Sequence, residues 1–380
     1  MRPSRAKALE LFCALPDPRG YPRSSAAVVP SVPESVTKSD HAHGMSGVEA
    51  GAPYRGRFAP SPTGELHLGS AAAALFCAAA AKRRSGALLL RVEDLDRDRV
   101  IPGAVPRMLD DLRFLGVSWD EGPDLGGPVG PYVQSERLPR YEAALAALAE
   151  AGLTYLCDCS RAEIARVASA PHAGEEGPRY PGTCRPHGMR QRAFRRPPAV
   201  RLAVPEGEAG RVTALDAVLG PFTEHVGEVT GDFVLRRGDG VFAYQLAVVV
   251  DDLAMGITEV VRGADLAASA PRQVLLARLL GGSPPRFAHV PLLLGPGGAR
   301  LAKRDRGMTI REHREASPAP TSGRALARAI ARAYAHPLEG SVAEEDPVSA
   351  LATRLDFASL RGLTVTVTDV LGEAARGATR

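Results

Sequence analysis

An alternation of apolar runs and polar loops begins near residue 54 and carries the strongest pattern in the chain. An apolar strand ends near Phe58, a polar stretch with two prolines follows, and an alanine-rich run then extends from Leu68 to about Lys82. A second run, LLLRV at 88–92, is apolar except for Arg91 and leads directly into carboxylates. Because the prolines and Gly64 exclude a helix from the polar stretch, the pattern predicts a strand, a loop, a helix and a buried parallel strand.

The same alternation continues along the chain and predicts an α/β fold. Apolar residues recur at helical spacing in 101–115 and 138–151, and Gly152 supplies a stop for the second helix. Further predicted elements are short strands at 153–156 and 200–204, a strand with a Gly-Asp-Gly turn at 231–240, a buried segment at 244–252, a strand at 257–261, a helix after Pro271 and a helical stretch at 323–334.

The first loop and the helix after it have the features of a phosphate-binding site. The helix opens between Leu68 and Ser70, where unpaired backbone N–H groups and the helix dipole attract anions. His67 stands at the helix start and adds a donor. The carboxylates after residue 92 follow the carboxyl end of a strand, where open α/β sheets bind ligands. The sequence therefore predicts a nucleotide site.

Composition is that of a globular chain with sizeable cores. Of the 380 residues, 45% are hydrophobic and 24% are charged. The net charge of +4 is too small to identify a polyanionic partner, although arginine, which outnumbers lysine, suits phosphate recognition. No apolar run reaches the length of a membrane span, and the N-terminus lacks a secretory pattern. We therefore expect a cytoplasmic protein without membrane association.

The cysteines indicate a metal site. The chain has five, an odd number and too few for a disulfide scaffold. Cys157 and Cys159 are one residue apart, and Cys184 follows a distant turn, so three thiolates are available for a tetrahedral zinc. Candidates for a fourth ligand are Tyr180, His172 and His187, and general metal chemistry ranks a histidine first. The alternative is three unligated thiols in a small core.

The N-terminal segment 1–53 is rich in Pro, Ser, Ala and mixed charge without sustained periodicity, which predicts a disordered extension. Met45 lies just before the strong pattern begins, so we consider it as an alternative start. Mass spectrometry of the native N-terminus distinguishes the two starts, and a peptide from residues 20–40 of native cells would exclude Met45.

A glycine-rich segment at 295–305, GPGGARLAKRD, carries the cationic side chains of Arg300, Lys303 and Arg304. Such a loop can close over a triphosphate and stabilise the charge that develops on pyrophosphate. The alternative is an ordinary basic loop. Arg262, at the end of the predicted strand 257–261, likewise allows two interpretations, a solvated charge or an anion ligand.

Two of these motifs, in this order, resemble those of class I aminoacyl-tRNA synthetases. The segment SPTGELHLGS at 61–70 resembles their HIGH signature, and RLAKR at 300–304 resembles their KMSKS loop. The resemblance covers about residues 54–310 and implies their Rossmann-type parallel sheet. Similarity to glutamyl-tRNA synthetases in particular is found in RFAPSPTG at 57–64, RVEDLD at 91–96 and VRGAD at 261–265.

Within that group the chain resembles shortened paralogues, the glutamyl-queuosine tRNA(Asp) synthetases. Only residues 306–380 follow the KMSKS-like loop, whereas a discriminating glutamyl-tRNA synthetase needs a large helical anticodon-binding portion there. The segment FAYQLAVVVDD at 242–252 is also similar to this family. In this family the zinc ligands come from a Cys-x-Cys and a Tyr-x-x-x-Cys motif. The resemblance therefore implies that the fourth ligand is a tyrosine and not a histidine. The implied ligands of one structural Zn²⁺ are Cys157, Cys159, Tyr180 and Cys184.

The resemblance implies that L-glutamate is activated by ATP, with Mg²⁺ as counter-ion, to glutamyl-adenylate and pyrophosphate without tRNA. The glutamyl group is then transferred to queuosine at the wobble position of tRNA(Asp). No side-chain nucleophile is needed, because the substrate carboxylate attacks the α-phosphate. His67 and Lys303 are the implied catalytic residues. Glutamate would be bound by Arg57, Phe58, Ala59, Pro60, Ser61, Glu93, Tyr244 and Arg262, and ATP by His67, Gly69, Ser70 and Lys303.

The expected organisation is a class I synthetase Rossmann-type sheet that carries an inserted zinc-bearing subdomain and a short C-terminal helical part. We expect the chain to act as a monomer. The predicted divisions are a disordered extension at 1–53, the first half of the Rossmann domain at 54–150, the zinc-binding and acceptor insert at 151–230, the second half with the KMSKS-like loop at 231–310 and the helical part at 311–380.

The KMSKS-like loop departs from the family pattern. Arg300 stands in place of the usual first lysine, and Ala302 in place of the serine. Arginine keeps the charge, but the lost hydroxyl would lower turnover. Three alternatives remain open: a truncated glutamyl-tRNA synthetase that charges tRNA(Glu), a catalytically silent paralogue that binds tRNA, and a small nucleotidyltransferase with a similar phosphate site.

Overall fold

The structure, a computed structural model, describes residues 53–167, 179–295, 298, 309–317, 320–335 and 346–378. The strands are β1 (Arg55–Phe58), β2 (Ala87–Leu90), β3 (Thr154–Cys157), β4 (Ala199–Leu202), β5 (Arg211–Ala214), β6 (Phe222–His225), β7 (Val234–Arg236), β8 (Glu259–Gly263), β9 (Arg286–Val290), β10 (Leu293–Leu294) and β11 (Val365–Thr366). The helices are α1 (Leu68–Arg83), α2 (Ala104–Phe114), α3 (Leu138–Glu150), α4 (Arg161–Val167), α5 (Val226–Val229), α6 (Tyr244–Ala254), α7 (Ala270–Leu279), α8 (Ile310–Ala316), α9 (Pro320–Ala333), α10 (Pro347–Arg354) and α11 (Val367–Ala378).

Four parallel strands form the main sheet, in the order β2, β1, β8, β9. The first βαβ unit is β1, α1 and β2, and the chain later returns to add β8 beside β1. Helix α7 then connects β8 to β9. Parallel neighbours require such helical crossovers, which explains the long spacing between the apolar runs of the sequence. The predicted α/β class with a Rossmann-type parallel sheet is confirmed.

Helix α1 is buried on most of its surface. It packs against β1 and β8 on the sheet side and against α9 and α10 away from it. Its alanines explain this position, since a helix that is apolar all round is buried and small side chains allow close approach. The Cys77 thiol lies 3.5 Å from the carbonyl oxygen of Arg57 and 3.3 Å from that of Val261. The helix therefore holds the two strands that carry site residues.

Outside the main sheet, β3, β4 and β7 form a separate antiparallel sheet, and β5 and β6 form a hairpin. The sequence places 231–240 in the second half of the Rossmann domain, but β7 pairs with β4. The strand therefore belongs to the same sheet as residues of the predicted insert. The local pattern of apolar and polar residues does not predict pairing between strands so distant in sequence. The domain boundaries themselves remain predictions.

The chain after residue 308 packs back onto the first βαβ unit. Strand β11 pairs with β10, and α9 and α10 contact α1. Tyr334 makes an edge-on contact with Phe76 of α1, with ring centroids 5.4 Å apart, and its hydroxyl donates to the carbonyl of Pro291 at 3.0 Å. Among the described helices, none combines the length and the apolar character that crossing a membrane requires.

Candidate active site

A cleft of about 690 Å³ opens at the carboxyl ends of β1, β8 and β9. Ligands of open parallel sheets bind at this edge. The loop between β1 and α1 forms much of the lining. Lys303 lies outside the described residues. The cleft is lined by all the other residues that the sequence assigns to glutamate or ATP, namely Arg57, Phe58, Ala59, Pro60, Ser61, His67, Gly69, Ser70, Glu93, Tyr244 and Arg262.

Backbone hydrogen bonds from a neighbouring segment hold the loop after β1. The N–H of Arg91 donates to the carbonyl of Phe58, and the N–H of Glu93 donates to that of Pro60, both at 3.0 Å. The N–H of Ile101 likewise reaches the carbonyl of Pro62 at 3.0 Å. Prolines prevent the loop from satisfying its carbonyls in a helix, so the segment 91–101 satisfies them instead. This pairing fixes Arg57 to Ser61 relative to Glu93.

His67 is the N-cap residue of α1 and has an extended backbone, with φ −82° and ψ 157°. Its side chain makes no capping hydrogen bond, so the N–H groups of the first turn, which includes Gly69 and Ser70, are available to an anion. The backbone of His67 is bridged to Thr309, and the N–H of Ile310 donates to the carbonyl of Leu66 at 2.8 Å. The KMSKS-like residues lie outside the described part of the chain, but the residues after them are fixed beside this helix start.

Two guanidinium groups, those of Arg57 and Arg262, and three carboxylates, those of Glu65, Glu93 and Asp265, line the cleft. Arg57 and Arg262 are 4% and 5% exposed, respectively. Burial raises the pKa of Glu93, against the opposing effects of Arg91 and Arg57. A cationic group placed near Glu93 would favour its ionised form. Arg57, Arg262 and Glu93 together therefore carry the charges that complement a ligand with two carboxylates and one ammonium group.

Tyr244 joins helix α6 to the end of strand β8. Its hydroxyl accepts a hydrogen bond from Nη1 of Arg262 at 3.2 Å, and burial lowers the pKa of that arginine. The sequence predicts that Tyr244 begins a buried segment, whereas the tyrosine is 36% exposed and complete burial begins at Leu246. The reason is that the first residue of α6 lies on the open cleft.

A buried ionic network lies behind Glu93 and was not predicted from the sequence. Arg91, which is fully buried, donates to Glu93 Oε1 at 3.1 Å and to Asp252 Oδ1 at 2.7 Å. Asp252 also lies 3.3 Å from Nε of Arg57. Burial opposes the ionisation of Asp252, but Arg91 and Arg57 outweigh it and hold the pKa of that carboxyl below its usual value. Arg91 and Asp252 thus connect two of the residues assigned to glutamate.

Asp251 extends the same network into the core. Its carboxylate accepts hydrogen bonds from Arg137 Nε at 2.5 Å, Gln134 Nε2 at 2.8 Å and the Tyr141 hydroxyl at 2.8 Å. It also lies 3.7 Å from Nε of Arg91. The sequence signal that could have indicated this network is the pair of adjacent aspartates near the end of an apolar helix, because buried charges need partners. Those partners are more than 100 residues away in sequence, so local pattern does not identify them.

The cysteine cluster has the spacing of a metal site. The three sulfur atoms of Cys157, Cys159 and Cys184 lie within 4.8 Å of one another. The Tyr180 hydroxyl is 3.3 Å from the sulfur of Cys157 and 3.6 Å from the sulfur of Cys159. The sulfur atoms of Cys159 and Cys184 are 3.6 Å apart. Sulfur ligands bound about 2.3 Å from a tetrahedral zinc are about 3.8 Å apart, and an oxygen ligand lies slightly closer. The four donor atoms therefore fit one zinc ion.

Of the two histidines considered as a fourth ligand, only His187 lies among the described residues, and it is not in this cluster. His187 is exposed and is absent from the group of metal-ligating side chains among the described residues, and His172 lies outside them. Asp158, between the two cysteines, is instead held by Arg192 at 2.6 Å, and Arg192 Nη2 lies 3.5 Å from the Cys184 sulfur. These contacts orient the cluster from outside.

The chain matches a protein-family model over residues 54–335. The model describes the catalytic domain of class I tRNA synthetases (E and Q). Two solved structures of Elizabethkingia proteins are similar in fold. The glutamate-tRNA synthetase of E. anophelis has a TM-score of 0.67 and 25% identity, covering 85% of this chain and 70% of that one. The glutamate tRNA ligase of E. meningosepticum has a TM-score of 0.68 and 26% identity, covering 86% and 69%. These matches agree with the parallel sheet and its cleft.

Curated relatives are more similar in sequence. The glutamyl-Q tRNA(Asp) synthetase of Nitratidesulfovibrio vulgaris is 52% identical over 267 residues, which are 69% of this chain and 81% of that protein. The protein of the same name from Symbiobacterium thermophilum is 52% identical over 272 residues, 70% and 82% of the two chains. The one from Geobacter sulfurreducens is 49% identical over 69% of this chain and 79% of its own length.

The fold and the cleft thus define a class I synthetase catalytic domain. Within that class, the chain belongs to the family of the glutamyl-Q tRNA(Asp) synthetases. It is an enzyme, a ligase of the aminoacyl-tRNA synthetase type, and the family implies ATP with Mg²⁺, glutamate and tRNA as its reactants. The family and the type of enzyme predicted from the sequence are confirmed.

Proposed function

We propose that the protein activates L-glutamate with ATP in the absence of tRNA and transfers it to queuosine in the anticodon of tRNA(Asp). The names of the relatives support this acceptor, and the charges of the cleft support the amino acid. The single observation that carries the proposal is that the buried Arg57 and Arg262, together with Glu93, line the same cleft as a helix start.

The charges of glutamate match those of the cleft in one orientation of the amino acid. The ammonium group would pair with Glu93, whose pKa burial has raised, and the carboxylates with Arg57 and Arg262. Tyr244 would hold Arg262 in place, and the backbone of Phe58 to Ser61 would close the pocket. Such a site favours glutamate over neutral amino acids because an unpaired buried guanidinium is costly.

ATP would bind at the start of α1. The N–H groups near Gly69 and Ser70, with His67 beside them, would take the phosphates, and Lys303 would add a positive charge as pyrophosphate leaves. The α-carboxylate of glutamate attacks the α-phosphate, so the protein contributes positioning and charge stabilisation rather than a nucleophile.

Zinc would be held by Cys157, Cys159, Tyr180 and Cys184. A closed four-ligand site is structural and takes no part in the reaction. It would tie the loop that contains Tyr180 and Cys184 to the end of β3, within the sheet that also includes β4 and β7. We further propose that the protein acts as a monomer.

Pyrophosphate exchange tests the activation step. The purified protein is incubated with ATP, labelled pyrophosphate and one amino acid, without tRNA. We expect label in ATP with L-glutamate and none with L-glutamine, whose side chain lacks the charge that the arginines require. Exchange that begins only after tRNA is added would contradict tRNA-independent activation, and no exchange under either condition would favour the silent tRNA-binding paralogue.

A further inference from the structure

Two residues outside the glutamate motifs hold Arg262 through consecutive hydrogen bonds. Nε of Arg262 donates to Nε2 of His289 at 3.0 Å, and Nδ1 of His289 lies 2.5 Å from Oδ2 of Asp216. The side chains of His289 and Asp216 are fully buried. Neither residue belongs to a motif that the sequence comparison with synthetases uses.

The hydrogen bonds determine which nitrogen of His289 carries its proton. Nε of an arginine always carries hydrogen, so Nε2 of His289 must be the acceptor and Nδ1 must donate to Asp216. Burial and the nearby Arg262 hold the pKa of His289 below its ordinary value, which agrees with a neutral ring. Burial opposes the ionisation of Asp216, but hydrogen bonds from His289 and from backbone N–H groups outweigh it and lower its pKa.

The remaining contacts of Arg262 leave it little freedom. Nη1 donates to the Tyr244 hydroxyl at 3.2 Å, and Nη2 donates to the carbonyl of Leu266 at 3.1 Å. The guanidinium carbon lies 5.2 Å from the centre of the Phe287 ring. Of five N–H donors, two have no partner among the described residues, and Arg262 lines the cleft. Two donors are therefore available for a ligand carboxylate.

Asp216 reaches this position from the predicted insert. It lies between β5 and β6, and its backbone is bridged to Phe287 of β9. Its Oδ1 accepts the N–H groups of Val218 and Leu219 at 2.9 and 2.8 Å, so its orientation is fixed by the turn that follows. A residue of the inserted segment thus completes the support of Arg262.

We propose that Asp216 and His289 are positioning residues for glutamate, which orient Arg262 so that its two open donors meet a substrate carboxylate. The inference rests on the proposed function, in which Arg262 binds glutamate. It gives the insert a role in amino-acid recognition in addition to the acceptor role predicted from the sequence.

The substitution Asp216→Asn tests this role with almost no change of shape. The backbone N–H groups of Val218 and Leu219 require an oxygen, so the new amide would turn its NH₂ group toward His289. His289 must then accept at Nδ1 and carry its proton on Nε2, where it faces the N–H of Arg262. A wrong tautomer disrupts a site whose geometry is otherwise intact.

We expect Asp216→Asn to raise the KM for glutamate in pyrophosphate exchange about tenfold or more, with the KM for ATP and kcat within about twofold. His289→Phe should give a similar increase, and the double variant no more than either alone, because both act through one hydrogen-bonded chain. Thr213→Val, which removes a hydroxyl contact in the adjacent hairpin, serves as the control and should keep the normal KM.

A normal glutamate KM in Asp216→Asn, or equal increases for glutamate and ATP, would overturn the inference. Calorimetric titration with L-glutamate separates it from the proposed function. If the unmodified protein binds glutamate but gives no exchange, the proposed function is wrong, and the Kd of Asp216→Asn still decides the positioning role. If the unmodified protein does not bind glutamate, both proposals are wrong.

Discussion

At the scale of single residues, the fold places a carboxylate and two arginines in one cleft and makes each depend on buried partners. Glu93 and Arg57 are joined through Arg91 and Asp252, and Arg262 is held by residues of other elements. Buried charges of this kind are stable only as a complete set, since removing one leaves its partner unpaired. Substitutions can therefore distinguish the residues that contact the substrate from the residues that hold them in place.

Glu93→Gln should weaken glutamate binding and change its pH dependence. Burial raises the pKa of Glu93, so protonation sets in at a higher pH than for an ordinary glutamate. As the pH falls through that pKa, the attraction for the substrate ammonium is lost and the KM for glutamate rises. The glutamine variant should show a KM about tenfold higher at neutral pH, without this acid step. Pyrophosphate-exchange kinetics between pH 5 and 8 measure both the KM and its pH dependence. If the variant kept the rise in KM at low pH, that rise would belong to a group other than Glu93.

Asp251→Asn should destabilise the fold rather than alter recognition. The carboxylate is fully buried against Arg137, and its loss leaves that guanidinium without a compensating charge. We expect a loss of about 3 kcal/mol in the free energy of unfolding, measured with urea. Glu208→Gln is the control, because Glu208 is 80% exposed beside Arg211, and a change below about 0.5 kcal/mol is expected. Equal effects of the two variants would show that the network adds no stability.

The residues proposed to bind glutamate could be named from the resemblance of short motifs, but the residues that hold them in place could not. Arg57, Glu93 and Arg262 lie in short motifs with recognisable spacing, and all three line the cleft. Asp216 and His289 were missed because each is an unremarkable residue locally, and they meet 73 positions apart. Their role arises only when β9 and the β5–β6 turn come together.

At the scale of elements, apolar runs and the Gly and Pro residues between them predicted most strands and helices. They did not predict which strands pair. The buried run at 88–92 appears as β2 (Ala87–Leu90), and the alanine-rich run appears as α1. The antiparallel pairing of β7 with β4 was missed, because local periodicity does not select a partner. The α/β class followed from the alternation and the Rossmann-type sheet from the resemblance to class I synthetases, but neither predicted the order of the strands.

Helix α9 approaches the end of α2 so closely that only glycine fits between them. A Cβ added at Gly323 would lie 1.9 Å from the carbonyl oxygen of Phe114. Gly323→Ala should therefore destabilise the protein by about 2 kcal/mol, although alanine is the better helix former by about 1 kcal/mol. Urea unfolding followed by circular dichroism measures the difference. A stabilised variant would show that α9 does not pack against α2 in this way.

The cysteine cluster should bind one zinc ion per chain. Cys184→Ser removes a donor from the group of four and should abolish stoichiometric zinc binding, measured by elemental analysis of the purified protein. Cys77→Ala is the control, since Cys77 lies in α1 outside the cluster and should leave the zinc content unchanged. Zinc-free unmodified protein after purification with added zinc, or loss of zinc in both variants, would contradict the site.

At the scale of the whole molecule, the cleft combines contributions from distant parts of the chain. The parallel sheet supplies Arg57, Glu93 and Arg262, the segment after residue 308 is fixed beside His67, and the predicted insert adds Asp216. The family gives the type of reaction, and the proposed function adds the amino acid's destination. The acceptor is therefore the part of the proposed function that most needs a direct test.

The most direct measurement is the transfer of labelled glutamate to tRNA(Asp) with and without queuosine, followed by nuclease digestion to locate the label. We expect glutamate on the queuosine-containing anticodon fragment and no labelling of the tRNA that lacks queuosine. Equal labelling of the two tRNAs, or label found only at the acceptor end of tRNA(Glu), would contradict the proposed function.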